Sequence, residues 1–176
     1  MRKLTTKELN RVSVEDFKQQ TKNPIVCVLD NIRSQHNIGS IFRTCDAFNV
    51  ESIYLCGITA TPPNREISKT ALGATESVNW EYFKTTEEAI EKLKKNGYIL
   101  IGIEQVENSI CLNTCKFEEN RKIGIIFGNE INGIEQNILN IVDYCIEIPQ
   151  FGTKHSFNVS VTAGIVLWEL SKTSNS

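Results

Sequence analysis

Charge of neither sign dominates this chain, histidines number only two, and nothing in its 176 residues runs apolar for the roughly 20 positions that a membrane span needs. Each shortage excludes something. Without such a run, and without an apolar leader at the N-terminus, the chain is expected to be a soluble cytoplasmic protein with no membrane partner. Neither histidine lies near Cys111 and Cys115, the only close cysteine pair, so a zinc centre lacks ligands and no metal is expected. The six cysteines stand singly, mostly inside apolar runs, and read as buried free thiols rather than disulfides. No Pro/Gly/Ser-rich linker, internal repeat or low-complexity segment divides the chain, and 40% hydrophobic content suffices for one domain with a real core. The G-x-x-x-x-G-K-[ST], G-x-G-x-x-G, G-x-S-x-G and H-E-x-x-H signatures are absent, so the common nucleotide, hydrolase and metalloprotease readings have no support.

What is present is unevenly placed. The net charge is −2, yet residues 1–22 hold Arg2, Lys3, Lys7, Arg11, Lys18 and Lys22 against Glu8, Glu15 and Asp16, a local +3 that leaves −5 for the remainder. Residues 1–22 are therefore expected to form a basic N-terminal arm or helix, and residues 23–176 a single domain. Such an arm suits either a solvated helix packed on the domain or a polyanion contact.

Beyond the arm, short apolar runs alternate with helical patterns. "PIVCVLD" (24–30), "SIYLC" (52–56), "YILIGIE" (98–104), "KIGIIFG" (122–128) and "YCIEIP" (144–149) read as strands, and their near-continuous apolar character suits a sheet covered on both faces. Helices are expected over 37–48, 86–96, 134–141 and 158–171. The alternation predicts an α/β fold with a mainly parallel sheet flanked by helices, whose ligands bind in loops beyond the carboxyl ends of the strands.

Three of those loops are unusual. In "DNIRSQHNIGSIFRT", Asn37 is a good N-cap and Gly39 allows close approach to the first helical turn. Ile41, Cys45 and Phe48 share the buried stripe, while His36, Ser40 and Arg43 fall on another face. Arg43 is then either an exposed arginine, alone or paired with Asp46 at i+3, or a functional cation. "IGIIFGNEING" ends an apolar strand abruptly in Gly128, Asn129, Glu130 and an Asn132-Gly133 turn, where backbone groups and a carboxylate can face a ligand, although a tight strand-to-helix turn looks much the same. "IPQFGTKHSFNVS" places Ser156, Asn158 and Ser160 before a very apolar helix, more polar groups than a cap requires.

In this order the loops resemble the three motifs of the SpoU (TrmH) family of RNA ribose 2′-O-methyltransferases. These are "N-x-G-x-x-x-R" at 37–43, "G-N-E-x-x-G" at 128–133 and "I-P-x-x-G-x-x-x-S-x-N-V-S" at 148–160, with "KTALGA" at 69–74. The likeness covers about residues 24–170. Gln150 stands where many members have methionine and Phe157 where leucine is usual, departures expected to alter packing around the cofactor. The resemblance implies a SPOUT fold with a C-terminal deep trefoil knot, an arrangement that topology rules alone would disfavour. It implies S-adenosyl-L-methionine as cofactor, held chiefly by backbone groups near Ile103, Gly128, Ile148 and Phe157. It implies a homodimer built on the first and last helices, and the nearly all-round apolar helix at 159–170 independently asks for two buried faces.

The resemblance also implies that Arg43, Asn37, Glu130, Ser156 and Asn158 carry catalysis. Asn37 orients Arg43 or the RNA backbone, Glu130 fixes the dimer-facing side, and Ser156 and Asn158 shape the ribose pocket. A guanidinium keeps its proton, so Arg43 is expected to bind the neighbouring phosphate and steady the developing 2′-oxyanion rather than act as base. "GYILIGIEQ" and "IPQ" lean toward the branch that methylates guanosine 18 in the tRNA D-loop. An rRNA target, or a silent RNA-binding or dimerisation module on the same fold, are the alternatives.

Overall fold

The computed structural model describes residues 1–5, 7–118 and 121–172. Thr6 of the expected arm, and residues 119, 120 and 173–176 of the expected domain, lie outside the described residues. Seven strands form one parallel sheet: β1 (Asn23–Asp30), β2 (Val50–Cys56), β3 (Asn79–Phe83), β4 (Ile99–Ile103), β5 (Ile110–Cys111), β6 (Ile123–Phe127) and β7 (Tyr144–Glu147), in spatial order β3-β2-β1-β6-β4-β7-β5. The helices are α1 (Val14–Gln19), α2 (Gln35–Ala47), α3 (Arg65–Ala71), α4 (Ala74–Ser77), α5 (Thr86–Lys95), α6 (Gln136–Leu139) and α7 (Val159–Ser171).

The apolar strands are buried on both faces, as their composition demands. Side chains alternate along β1: Ile25, Cys27 and Leu29 enter the core shared with α2 and α7, while Val26 and Val28 enter the core under α5. Ile125 and Ile126 divide the same way in β6. On α2 the buried stripe is Ile38, Gly39, Ile41, Phe42 and Cys45. Gly39 lies so close to α3 that a Cβ there would sit 2.2 Å from the Ile67 carbonyl oxygen, and Thr70 Oγ1 donates to the His36 carbonyl across the same seam. All six cysteines are free thiols. Among the described residues, no helix is long and apolar enough to cross a membrane.

Several boundaries differ from the sequence pattern. The N-cap of α2 is Ser34, whose side chain accepts from the Asn37 N–H, so Asn37 lies inside the first turn and does not cap it. The expected 134–141 helix reduces to the single turn of α6. Strands β3 and β5 and the short helices α1, α3 and α4 have no counterpart in the apolar pattern. The arm carries α1 and a 3-10 turn at Lys7–Leu9, and within 1–22 only Phe17 is buried among the described residues.

The last helix presents two apolar faces. Val159, Ala163, Val166, Leu167 and Leu170 are buried against the domain, whereas Val161 is 49% and Trp168 57% exposed. Within one chain, therefore, only one face of α7 is covered.

Candidate active site

Strands β6, β4 and β7 are neighbours in the sheet, so the segments that follow them converge at its carboxyl end. There they form a cleft of about 750 Å³. Its lining includes Ile103, Gly128, Ile148 and Phe157, together with Glu130, Ser156 and Asn158. Seven of the nine residues expected at the site thus share one cavity. Asn37 is hydrogen-bonded to its rim, and Arg43 stands apart.

The loop after β6 is held by its own backbone. Asn129 and Gly133 exchange hydrogen bonds of 2.9 and 3.0 Å, and the Asn129 side chain accepts from the Ile131 and Asn132 N–H groups while donating to the Asn31 carbonyl at 2.6 Å. The glycines make this turn possible. A Cβ on Gly128 would lie 2.3 Å from the backbone of Gly133 and Ile134, and Gly133 has φ +67° with the Glu104 carboxylate against it.

Glu130 closes this loop onto α2. Its carboxylate accepts from the N–H groups of Arg33 and Ser34, both at 3.0 Å, and from Asn37 Nδ2 at 3.1 Å. Burial on its own would push the Glu130 carboxyl up, but the backbone N–H groups and the Asn37 amide outweigh it and the net shift is downward. The position is where a helix favours an anion, beside its first turn. Asn37 Oδ1 in turn accepts from Asn158 Nδ2 at 3.1 Å, and Asn158 Oδ1 caps α7 by accepting from Ser160 N–H and Oγ. One chain of hydrogen bonds, Glu130–Asn37–Asn158–Ser160, thereby joins all three unusual loops. Asn37 is engaged by Glu130 and Asn158, not by Arg43.

Arg43 is exposed on α2 and, among the described residues, has no hydrogen-bond or ion-pair partner. Asp46, its alternative partner, accepts from Ser77 Oγ at 2.7 Å. Ser156 and Phe157 are exposed on the cleft wall. Among the lining residues that the sequence pattern does not single out are Glu104 and Gln105, which directly follow β4. A charged-polar pair ending an apolar strand was their only signal.

The cleft's charge is one-sided. Glu104, Glu130 and Glu147 line it, and among the described residues no lysine or arginine does. Such a cavity suits a cationic ligand and disfavours a polyphosphate. On or beside α2 and α3 the side chains of Arg33, Arg43, Arg65 and Lys69 are exposed, Lys69 paired with Glu66 at 2.7 Å. Among the described residues, no cluster of His, Cys, Asp and Glu could hold a metal ion.

Residues 24–168 match the SpoU rRNA Methylase family. The chain is 32% identical over 161 residues to the 23S rRNA (guanosine-2′-O-)-methyltransferase RlmB of Neisseria meningitidis serogroup B, covering 91% of this chain and 63% of that protein. It is 29% identical over 155 residues to a tRNA (guanosine(18)-2′-O)-methyltransferase of Aquifex aeolicus, covering 86% of this chain and 70% of that one. It thus spans a little under two thirds of the first of these relatives. Among solved structures, it is similar to the TrmH/SpoU tRNA modifying enzyme of A. aeolicus, with TM-score 0.78, 25% identity and coverage of 91% of this chain and 79% of that one. It is equally similar to an AdoMet-bound rRNA methyltransferase of Sinorhizobium meliloti, with TM-score 0.79, 25% identity and coverage of 92% and 61%.

Proposed function

The chain belongs to the SpoU rRNA methylase family, and on that premise we propose that it methylates a ribose 2′-hydroxyl in structured RNA, using S-adenosyl-L-methionine. The observation that carries this reading is the hydrogen-bonded chain Glu130–Asn37–Asn158 at the mouth of an anionic cleft. The cleft falls within the roughly 300–1,000 Å³ range of small-molecule sites. Three carboxylates without a lining lysine or arginine fit a ligand that carries a sulfonium and an ammonium. When bound, that cofactor supplies an electrophilic methyl group on a leaving thioether, so no metal or general acid is required.

The chain's own residues do the rest. Ile103, Gly128, Ile148 and Phe157 hold the cofactor through backbone groups and apolar contact. Asn37 and Asn158, tied to each other, together with Ser156, orient the ribose. Glu130 fixes the start of α2 and thereby aims Asn37. Arg43 lies six residues along α2 from Asn37, about 9 Å at 1.5 Å per residue. An RNA running along α2 with its ribose at the mouth presents a neighbouring phosphate to that free guanidinium, which binds it bidentately and steadies the 2′-oxygen as negative charge develops. Arg33, Arg65 and Lys69 extend the same phosphate-binding surface.

The RNA is a tRNA, with guanosine 18 of the D-loop as the target position; guanosine in 23S rRNA is the other substrate that the relatives' names support. The protein acts in the cytoplasm as a homodimer, and the exposed apolar face of α7, with Val161 and Trp168, supports that assembly. Residues 1–22 form a basic arm on a single SPOUT domain, 23–176. Its C-terminal segment is knotted, a reading that rests on membership of the family alone.

Calorimetry with S-adenosyl-L-methionine and S-adenosylhomocysteine tests the cofactor. Binding to the free protein is expected, and none near millimolar ligand would sink the enzyme reading. Light scattering at micromolar concentration should give twice the 19.9 kDa chain mass, and a monomer would contradict the dimer.

A further inference from the structure

The cleft has two walls that differ in how they are tied down, and both ties start from the same dipeptide. Glu104 continues the sheet, its N–H donating to the Ile146 carbonyl at 3.1 Å. Its carboxylate turns toward the 128–134 loop, where it accepts from the Ile134 N–H at 3.1 Å in the space left by the missing side chain of Gly133. The second carboxylate oxygen accepts from the Gln105 N–H at 3.0 Å. Gln105 faces the other way, and its Nε2 donates to the His155 carbonyl at 2.8 Å. Among the described residues, that is the only hydrogen bond reaching segment 150–157, the wall that carries Ser156 and Phe157.

We propose that Glu104 and Gln105 are a two-sided clasp, positioning residues that fix the separation of the two cofactor loops and so set the affinity for S-adenosyl-L-methionine. This rests on the methyltransferase reading and adds residues that lie outside the three motifs. Strand β4 lies beside both β6 and β7 in the sheet, so the residues just past its end are the ones able to hold the segments that follow both neighbours. The carboxylate holds the tight loop through a backbone donor, and the amide holds the loose loop through a backbone acceptor. A glutamate at 105 lacks the required N–H.

The test compares the wild-type protein with Gln105→Ala, Gln105→Glu, Glu104→Ala and Glu104→Gln. Calorimetry reads S-adenosyl-L-methionine binding, tryptic cleavage after Lys154 reads the freedom of the loose loop, and thermal melts confirm folding. Gln105→Ala and Gln105→Glu should each weaken binding by roughly three- to tenfold, the equivalent of one net hydrogen bond, and speed Lys154 cleavage several-fold. Glu104→Ala should weaken binding by roughly tenfold or more, and Glu104→Gln, which keeps one acceptor, should recover most of it. Gln105→Glu is decisive, because a purely electrostatic role would tighten binding of a cationic cofactor when a carboxylate is added. Wild-type binding with unchanged affinity in both Gln105 variants overturns the clasp and leaves the enzyme reading standing. Absence of wild-type binding overturns the enzyme reading, and with it the clasp's role in cofactor affinity.

Discussion

The loops at 128–134 and 150–157 line the same cleft and are built on opposite principles. The first is saturated: its backbone pairs across Asn129 and Gly133, its side chains cap themselves and reach β1 and α2, and Glu104 braces its end. The second is exposed from Phe151 through Phe157 and, among the described residues, is held by the Gln105 hydrogen bond alone. One loop can supply a rigid floor, where backbone groups must meet a cofactor with fixed geometry. The other has a single tie among the described residues and so less to hold it in one position. In stability terms the loops differ, because a change in the first leaves several hydrogen-bonded partners unpaired whereas a change in the second leaves almost none. The residues proposed to act in catalysis and cofactor binding sit in both, so stability and activity should separate between them.

The largest break in that comparison should come from Gly133→Ala. It forces an L side chain into a left-handed backbone and pushes a Cβ to within 2.1 Å of Glu104 Oε2. The left-handed cost of about 1–2 kcal/mol adds to an unpaired Ile134 N–H, so denaturant unfolding should show a loss of about 2–4 kcal/mol. Glu130→Ala comes next. It leaves the Arg33 and Ser34 N–H groups and the Asn37 amide without their acceptor, and should cost about 2 kcal/mol, a fall of roughly 4–8 °C in Tm by calorimetry. A Glu130→Ala protein melting at the wild-type temperature would show that the first loop does not hold α2.

Acid should sharpen the same contrast more gently. The folded-state pKa of Glu130 is depressed, so its contribution to stability is present above the ordinary carboxylate value of about 4.3 and lost as pH falls through the folded value. Asp30 has the opposite sign. Burial raises its pKa, so its penalty is absent in acid, appears as pH rises past the ordinary aspartate value, and is complete above the raised one. Glu130→Gln should therefore flatten the acid limb of the wild-type stability curve below about pH 4, measured as the difference between the two proteins. The smallest stability effect belongs to the loose loop. Ser156→Ala should change stability by no more than about 0.5 kcal/mol, yet lower methyl transfer, whereas an equal loss of both would mean that this wall is structural.

Much of this arrangement was legible in the sequence, and the failures have identifiable causes. Five strands were read to within about two residues because burial on both faces demands unbroken apolar runs. Strand β3 escaped since it is an edge strand, "NWEYF", buried only at Phe83, and β5 is two residues long. The start of α2 was misplaced because Ser34 and Asn37 are both capping residues three positions apart. Ser34 takes the cap, and the Asn37 side chain is instead engaged by Glu130, distant in sequence. Glu104 and Gln105 were invisible for the same reason: their partners, Ile134 and His155, lie 30 and 50 residues away. The motifs contain six of the seven expected residues that line the cleft, Ile103 following from the family resemblance, and the separate position of Arg43 emerged only in three dimensions.

That separation makes Arg43 the most direct test of the account. Methyl transfer from labelled S-adenosyl-L-methionine to total tRNA and to rRNA should be measured for the wild-type protein, Arg43→Ala and Arg43→Lys, with the labelled nucleoside identified after nuclease digestion. The wild type should place label on a ribose 2′-oxygen. Arg43→Ala should fold and bind cofactor normally while losing roughly 100- to 1000-fold in rate, about 2.7–4 kcal/mol of transition-state stabilisation, and Arg43→Lys should recover little. Label on a base, or an Arg43→Ala protein that methylates near the wild-type rate, would contradict the mechanism.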